Sequence, residues 1–147
     1  MEKPCQSCKT LAKGSAVMPH LSFEYSRGLG DLTDLDAFAS RCRDALAATG
    51  ACPLGGIRVR GFEAGVQAVA DGGDYHFCDM VLRLGQGRDA ATRSRIADAL
   101  YAAAEAGLRP DLGDVPFILS LEVQDIQAEF SRKSWSTIHT ALEETAR

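Results

Sequence analysis

A strand–helix–strand pattern that occurs twice in succession constrains this sequence more than any other feature. In the first unit Leu21, Phe23 and Tyr25 alternate with Ser22 and Glu24, the period of a half-buried strand. Asp34 is a suitable helix N-cap. Leu35, Phe38, Ala39, Cys42, Ala45 and Leu46 follow at spacings of three and four, an amphipathic helix closed by Gly50. After the turn Cys52-Pro53-Leu54-Gly55-Gly56, residues 57–62 read as a second strand, with Ile57 and Val59 on one face and Arg58 and Arg60 on the other. The loop 70–74 opens the second unit. Residues 77–84 form a strand apolar enough to be buried on both faces. The next helix puts Ile96, Leu100, Ala103 and Leu108 on one stripe and ends at Gly107 and Pro110, and residues 117–123 form the fourth strand. Trp135, Ile138 and Leu142 mark a short amphipathic C-terminal helix.

A β-α-β unit implies a parallel strand pair with a right-handed crossover. Two in tandem give an α/β (α+β) architecture: a four-stranded, mainly parallel sheet with two helices on one face. The other face is left bare, and a second subunit is the expected cover, so the chain is expected to be oligomeric. The 147 residues suit one such domain. Residues 1–18 are polar, show no period and contain Gly14-Ser15-Ala16; they read as a flexible N-terminal extension (leader, tag or misplaced start) before a domain over 19–147.

Charge narrows the function classes. Of 16 basic and 20 acidic residues, Lys3, Lys9, Lys13 and Glu2 fall in the first 18, which leaves 13 basic and 19 acidic in 19–147, a net of −6. No basic surplus exists to neutralise phosphates, so nucleic acid is not expected as a partner. No apolar run approaches the roughly 20 residues of a membrane span, and residues 1–18 lack the apolar core of a secretory signal. A cytoplasmic location is expected. Five irregularly spaced cysteines do not suggest a secreted disulfide framework.

The string Met18-Pro19-His20-Leu21-Ser22-Phe23-Glu24-Tyr25-Ser26 resembles the start of the 5-carboxymethyl-2-hydroxymuconate delta-isomerase family of the tautomerase superfamily. So do three further stretches: Leu46-Ala47-Ala48-Thr49-Gly50 with Pro53-Leu54-Gly55-Gly56-Ile57-Arg58-Val59-Arg60, then Ala70-Asp71-Gly72 with Asp74-Tyr75, and then Leu84-Gly85-Gln86-Gly87-Arg88. They match in order and spacing over about 19–130. The resemblance implies a tautomerase-like fold, a homotrimer, and an isomerase in the breakdown of the aromatic acid homoprotocatechuate. It also implies that Pro19 is the catalytic base, and that Arg58 and Arg88 bind the substrate. Family members begin at that proline, whereas 18 residues precede it here.

The chemistry of these residues suits the implied roles, and each has a plainer reading beside it. An N-terminal proline is a secondary amine. Ordinary α-amino groups titrate near 7.7–8.0, and burial or neighbouring arginines lower that value toward what a general base at neutral pH needs. An internal proline carries an amide nitrogen and accepts no proton; its plain reading is the residue that opens an edge strand. The guanidinium fork of Arg58 suits a substrate carboxylate or a developing dienolate; otherwise it is a surface ion pair. Arg60 is left with that plain reading. Arg88, at a strand end entering a helix, either meets a carboxylate or is simply solvated.

His20 and His76 read as loop or strand residues with satisfied hydrogen bonds. Cys5-Gln6-Ser7-Cys8 is a lone CxxC without the partners of a zinc site or the flanks of a thioredoxin motif. Cys42 and Cys78 fall on core faces, and Tyr25, Phe62 and Trp135 read as core or interface. No metal or cofactor is expected, because the proton stays within one conjugated system; the ligand is a small anionic dienol or oxo acid. The competing function is a non-catalytic binding or regulatory module of the same fold, should residues 1–18 stay attached.

Overall fold

The computed structural model describes residues 18–146. The first 17 residues, with Cys5 and Cys8, lie outside the described part. Four strands form one sheet: β1 (His20–Tyr25), β2 (Arg58–Glu63), β3 (His76–Gly85) and β4 (Phe117–Ile126). The order is β2-β1-β3-β4, with β1 and β2 parallel, β3 and β4 parallel, and the central β1–β3 pair antiparallel. Two parallel units are thus joined along one antiparallel seam. Helices α1 (Leu35–Ala48) and α2 (Ala90–Leu112) cover one face and pack on each other, and a short α3 (Ile138–Thr145) sits at the C-terminal end.

Local chemistry explains where the helices begin. Asp34 accepts the Ala37 amide at 2.9 Å, and Asp89 accepts that of Thr92 at 2.8 Å, so each carboxylate satisfies an orphan N–H of the first turn. The core is the meeting of the two helical stripes with the inner pleats: Phe38, Cys42 and Leu46 from α1, Ile96, Leu100, Ala104 and Leu108 from α2, and Leu21, Phe23, Met80 and Leu82 from the central strands. Cys42, Cys52 and Cys78 are free and buried. Burial pushes the Cys42 and Cys78 thiols up to about 12.

Four expectations need correction. First, β3 is not buried on both faces: Cys78, Met80, Leu82 and Leu84 point inward, whereas Asp79 and Arg83 are exposed. The bare face of the sheet is correspondingly mixed in polarity and not uniformly apolar. Second, α2 does not end at Gly107 and Pro110 but runs on to Leu112. Pro110 is exposed in the last turn, where only the Ala106 carbonyl loses its partner, and burial of Leu108 and Leu112 outweighs that loss. Third, the inward residue between Leu100 and Leu108 on its stripe is Ala104, with Ala103 only half-buried. Fourth, Trp135 precedes α3 and is 90% exposed.

Gly61 faces Phe23 across the β1–β2 ladder, and a Cβ there would lie 2.4 Å from the Phe23 ring, which is itself held edge-on against Phe38. We predict that Gly61→Ala lowers stability by about 1–3 kcal/mol in urea unfolding, and that adding Phe23→Leu recovers part of the loss.

Candidate functional site

The strand registers bring three charged or titratable side chains into one row on the bare face. His20 of β1 is opposite Arg58 of β2 on one side and opposite Arg83 of β3 on the other. These residues sit at the end of the sheet where β1 begins, and with Met18 they line a cavity of about 930 Å³. Its opposite wall is the segment after β4, including Arg132, Lys133 and Trp135. Two glycines leave room for close approaches beside the cavity. A Cβ on Gly55 would lie 2.4 Å from the His139 ring of α3, and one on Gly56 would lie 3.3 Å from the Cα of Met18.

Arg58 is exposed, and its Nη2 donates to Nε2 of His20 at 3.1 Å, with the Met18 sulfur 3.8 Å away. A guanidinium can only donate, so Nε2 is the accepting nitrogen and the proton of neutral His20 resides on Nδ1. Nδ1 is buried and has no hydrogen-bond partner among the described residues. Partial burial, followed by the charges of Arg58, Arg83 and Arg60, lowers the His20 pKa from 6.5 to about 4. The imidazole is therefore a neutral spacer between two cations. Its unsatisfied Nδ1 differs from the fully bonded histidine expected from sequence. His76 does meet that expectation, with Nδ1 2.8 Å from Ser26 Oγ.

Pro19 immediately precedes this row. Its ring is fully buried, and its carbonyl accepts the Arg58 amide at 3.1 Å. Its nitrogen is here part of the Met18–Pro19 peptide, and Met18 occupies the cavity edge beside Arg58. Arg88 is placed differently. Its guanidinium donates to the carbonyls of Ala51 at 2.7 Å and Gly85 at 3.2 Å, tying the β3 end to the loop after α1, and it does not line the cavity. Arg83, Arg132 and Lys133 were not singled out from sequence. Only Arg83 carried a signal, a charge alternating with the apolar positions of its strand. Among the described residues no cluster of three or more His, Cys, Asp or Glu could hold a metal ion, and no helix is long and apolar enough to cross a membrane.

Residues 19–142 match the family model for 5-carboxymethyl-2-hydroxymuconate isomerase. The chain is 29% identical over 117 residues to the 5-carboxymethyl-2-hydroxymuconate Delta-isomerase of Escherichia coli, covering 79% of this chain and 93% of that protein. It resembles a crystal structure of a 5-carboxymethyl-2-hydroxymuconate delta-isomerase, with TM-score 0.79 and 30% identity over 85% of this chain and 93% of the other. It also resembles a 5-carboxymethyl-2-hydroxymuconate isomerase from Deinococcus radiodurans R1, with TM-score 0.77 and 25% identity over 86% and 96% of the two chains. A fused 4-OT described as a symmetric trimer shares the fold at 19% identity and TM-score 0.59, over 80% of this chain and 93% of that one.

The depressed His20 value has a consequence for stability. Unfolded chains take up this proton first as pH falls, so the stability tied to neutral His20 is complete above about pH 6.5 and is lost as pH falls toward 4. NMR titration is expected to place the His20 imidazole near 4. Urea unfolding of His20→Gln is expected to show a shallower loss of stability across that window than the unmodified protein.

Proposed function

The chain belongs to the 5-carboxymethyl-2-hydroxymuconate isomerase family and is an isomerase, and from that premise we propose that it ketonises 5-carboxymethyl-2-hydroxymuconate, or a similar 2-hydroxymuconate, with Pro19 as the base. The observation that supports this most is the position of Pro19, next in the chain to His20 of the Arg58–His20–Arg83 row and flanked by Met18 and His20, which both line the cavity.

The chemistry requires the Met18–Pro19 bond to be cut. Cleavage turns an amide nitrogen into a secondary amine and removes Met18 from beside Arg58. With Pro19 buried and guanidinium charge nearby, the ammonium form is disfavoured and the amine is available near neutral pH. The amine takes the proton of the 2-hydroxyl. The O–H electron pair becomes the carbonyl π bond, the double bonds shift along the conjugated chain, and the same proton forms a new C–H bond at its far end. Arg58 holds a carboxylate and favours the dienolate charge of the intermediate stage. No electron leaves the substrate, so the step balances without a co-reactant.

Arg88 was expected to bind substrate as well. Its two carbonyl contacts favour a structural part within its own protomer. The reading takes the active form as a cytoplasmic homotrimer, in which other copies cover the bare sheet face. Exposed Phe62 and Ile118 on the two edge strands support such a cover, and so does the trimeric relative of the same fold.

A chain trimmed to begin at Pro19 is expected to convert the 2-hydroxymuconate, followed by ultraviolet absorbance, while the untrimmed chain is inactive. Activity of the untrimmed chain, or inactivity of the trimmed one, removes Pro19 as base. In the trimmed enzyme Arg58→Ala is expected to raise KM or lower kcat by at least about tenfold. Arg88→Ala is expected to lower the thermal midpoint more than it lowers kcat/KM.

A further inference from the structure

We propose that Arg83 is a second anion-binding arm of the cavity and makes it select dicarboxylates over monocarboxylates. The inference rests on the reading of this cavity as the substrate site, but it needs no free amine. Arg83 projects from the bare face of β3, lines the cavity and lies directly across the ladder from His20. It makes no hydrogen bond or ion pair with any described residue, and the residue opposite it on β4 is neutral Gln124. Arg58 likewise has no carboxylate partner among the described residues; its contacts are His20 and Met18.

Two uncompensated cations thus share one row, separated by an imidazole held neutral. Such a row is electrostatically costly when empty and becomes favourable when anions lie over it. The charge count favours one kind of anion. Arg58 and Arg83 stand two strand positions apart, roughly 10 Å between Cα atoms, so that with side chains extended each guanidinium can meet its own carboxylate of a ligand that carries two. A monocarboxylate leaves one of the two cations without an anion, and neutral His20 lies between them.

The test uses the full chain and a matched pair of unreactive six-carbon probes: trans,trans-muconate, with two carboxylates, and sorbate, with one. Calorimetry is expected to show muconate bound at least about tenfold more tightly than sorbate. Arg83→Gln is expected to bring the two affinities together by weakening muconate alone, and Arg83→Lys to keep most of the preference. Arg83 makes no hydrogen bond or ion pair with a described residue, so both variants are expected to fold, with thermal midpoints no lower than that of the unmodified protein. A protein without preference for muconate, or an Arg83→Gln variant that keeps it, overturns the proposal. Turnover is not read in this experiment, so failure of Pro19 as base and failure of Arg83 as a second arm remain separate results.

Discussion

The antiparallel pairing of β1 with β3 is the contact on which the rest of the molecule depends. It joins the two β-α-β halves and carries the middle of the core, Leu21 and Phe23 against Leu82 and Met80. Because side chains alternate along a strand, the same register that turns these four inward turns His20 and Arg83 outward. A slip of one residue would bury Arg83 and expose Leu82. The apolar packing that stabilises the sheet therefore also places the charged row at the cavity, and the β1–β2 ladder adds Arg58 on the other flank by the same rule.

Much of this was legible in the sequence, because hydrophobic period is a local signal. The four strands, both long helices, the Asp34 cap and the outward face of Arg58 all follow from spacing alone. Local signals failed where tertiary packing outweighed them. Pro110 and Gly107 look like a helix stop, yet Leu112 is drawn into the core and carries the helix with it. Residues 77–84 read as apolar on both faces, because Phe77 and Val81 mask the alternation that Asp79 and Arg83 reveal.

The site was half legible. Pro19 and Arg58 stand out by residue type in a recognisable string. Arg83 gains meaning only from its register with His20, a relation between residues 63 positions apart. His20 looked like an ordinary strand histidine because its two flanking arginines come from different strands. The shape of the cavity depends on the absence of side chains at Gly55, where α3 approaches, and at Gly56, where Met18 approaches. A sequence shows those glycines as a turn and gives no hint of what comes close to them.

The buried cysteines give the molecule a property that concerns its opening and not its chemistry. With their thiols pushed up to about 12, Cys42 and Cys78 remain protonated at neutral pH and are shielded from solvent. One lies on α1 and the other on the inner face of β3, so both are covered only while the helical layer rests on the sheet. A thiol-reactive reagent reaches them when that layer lifts and not before. The two sulfurs thus act as a clock for the separation of helices from sheet, set inside the core with no added label.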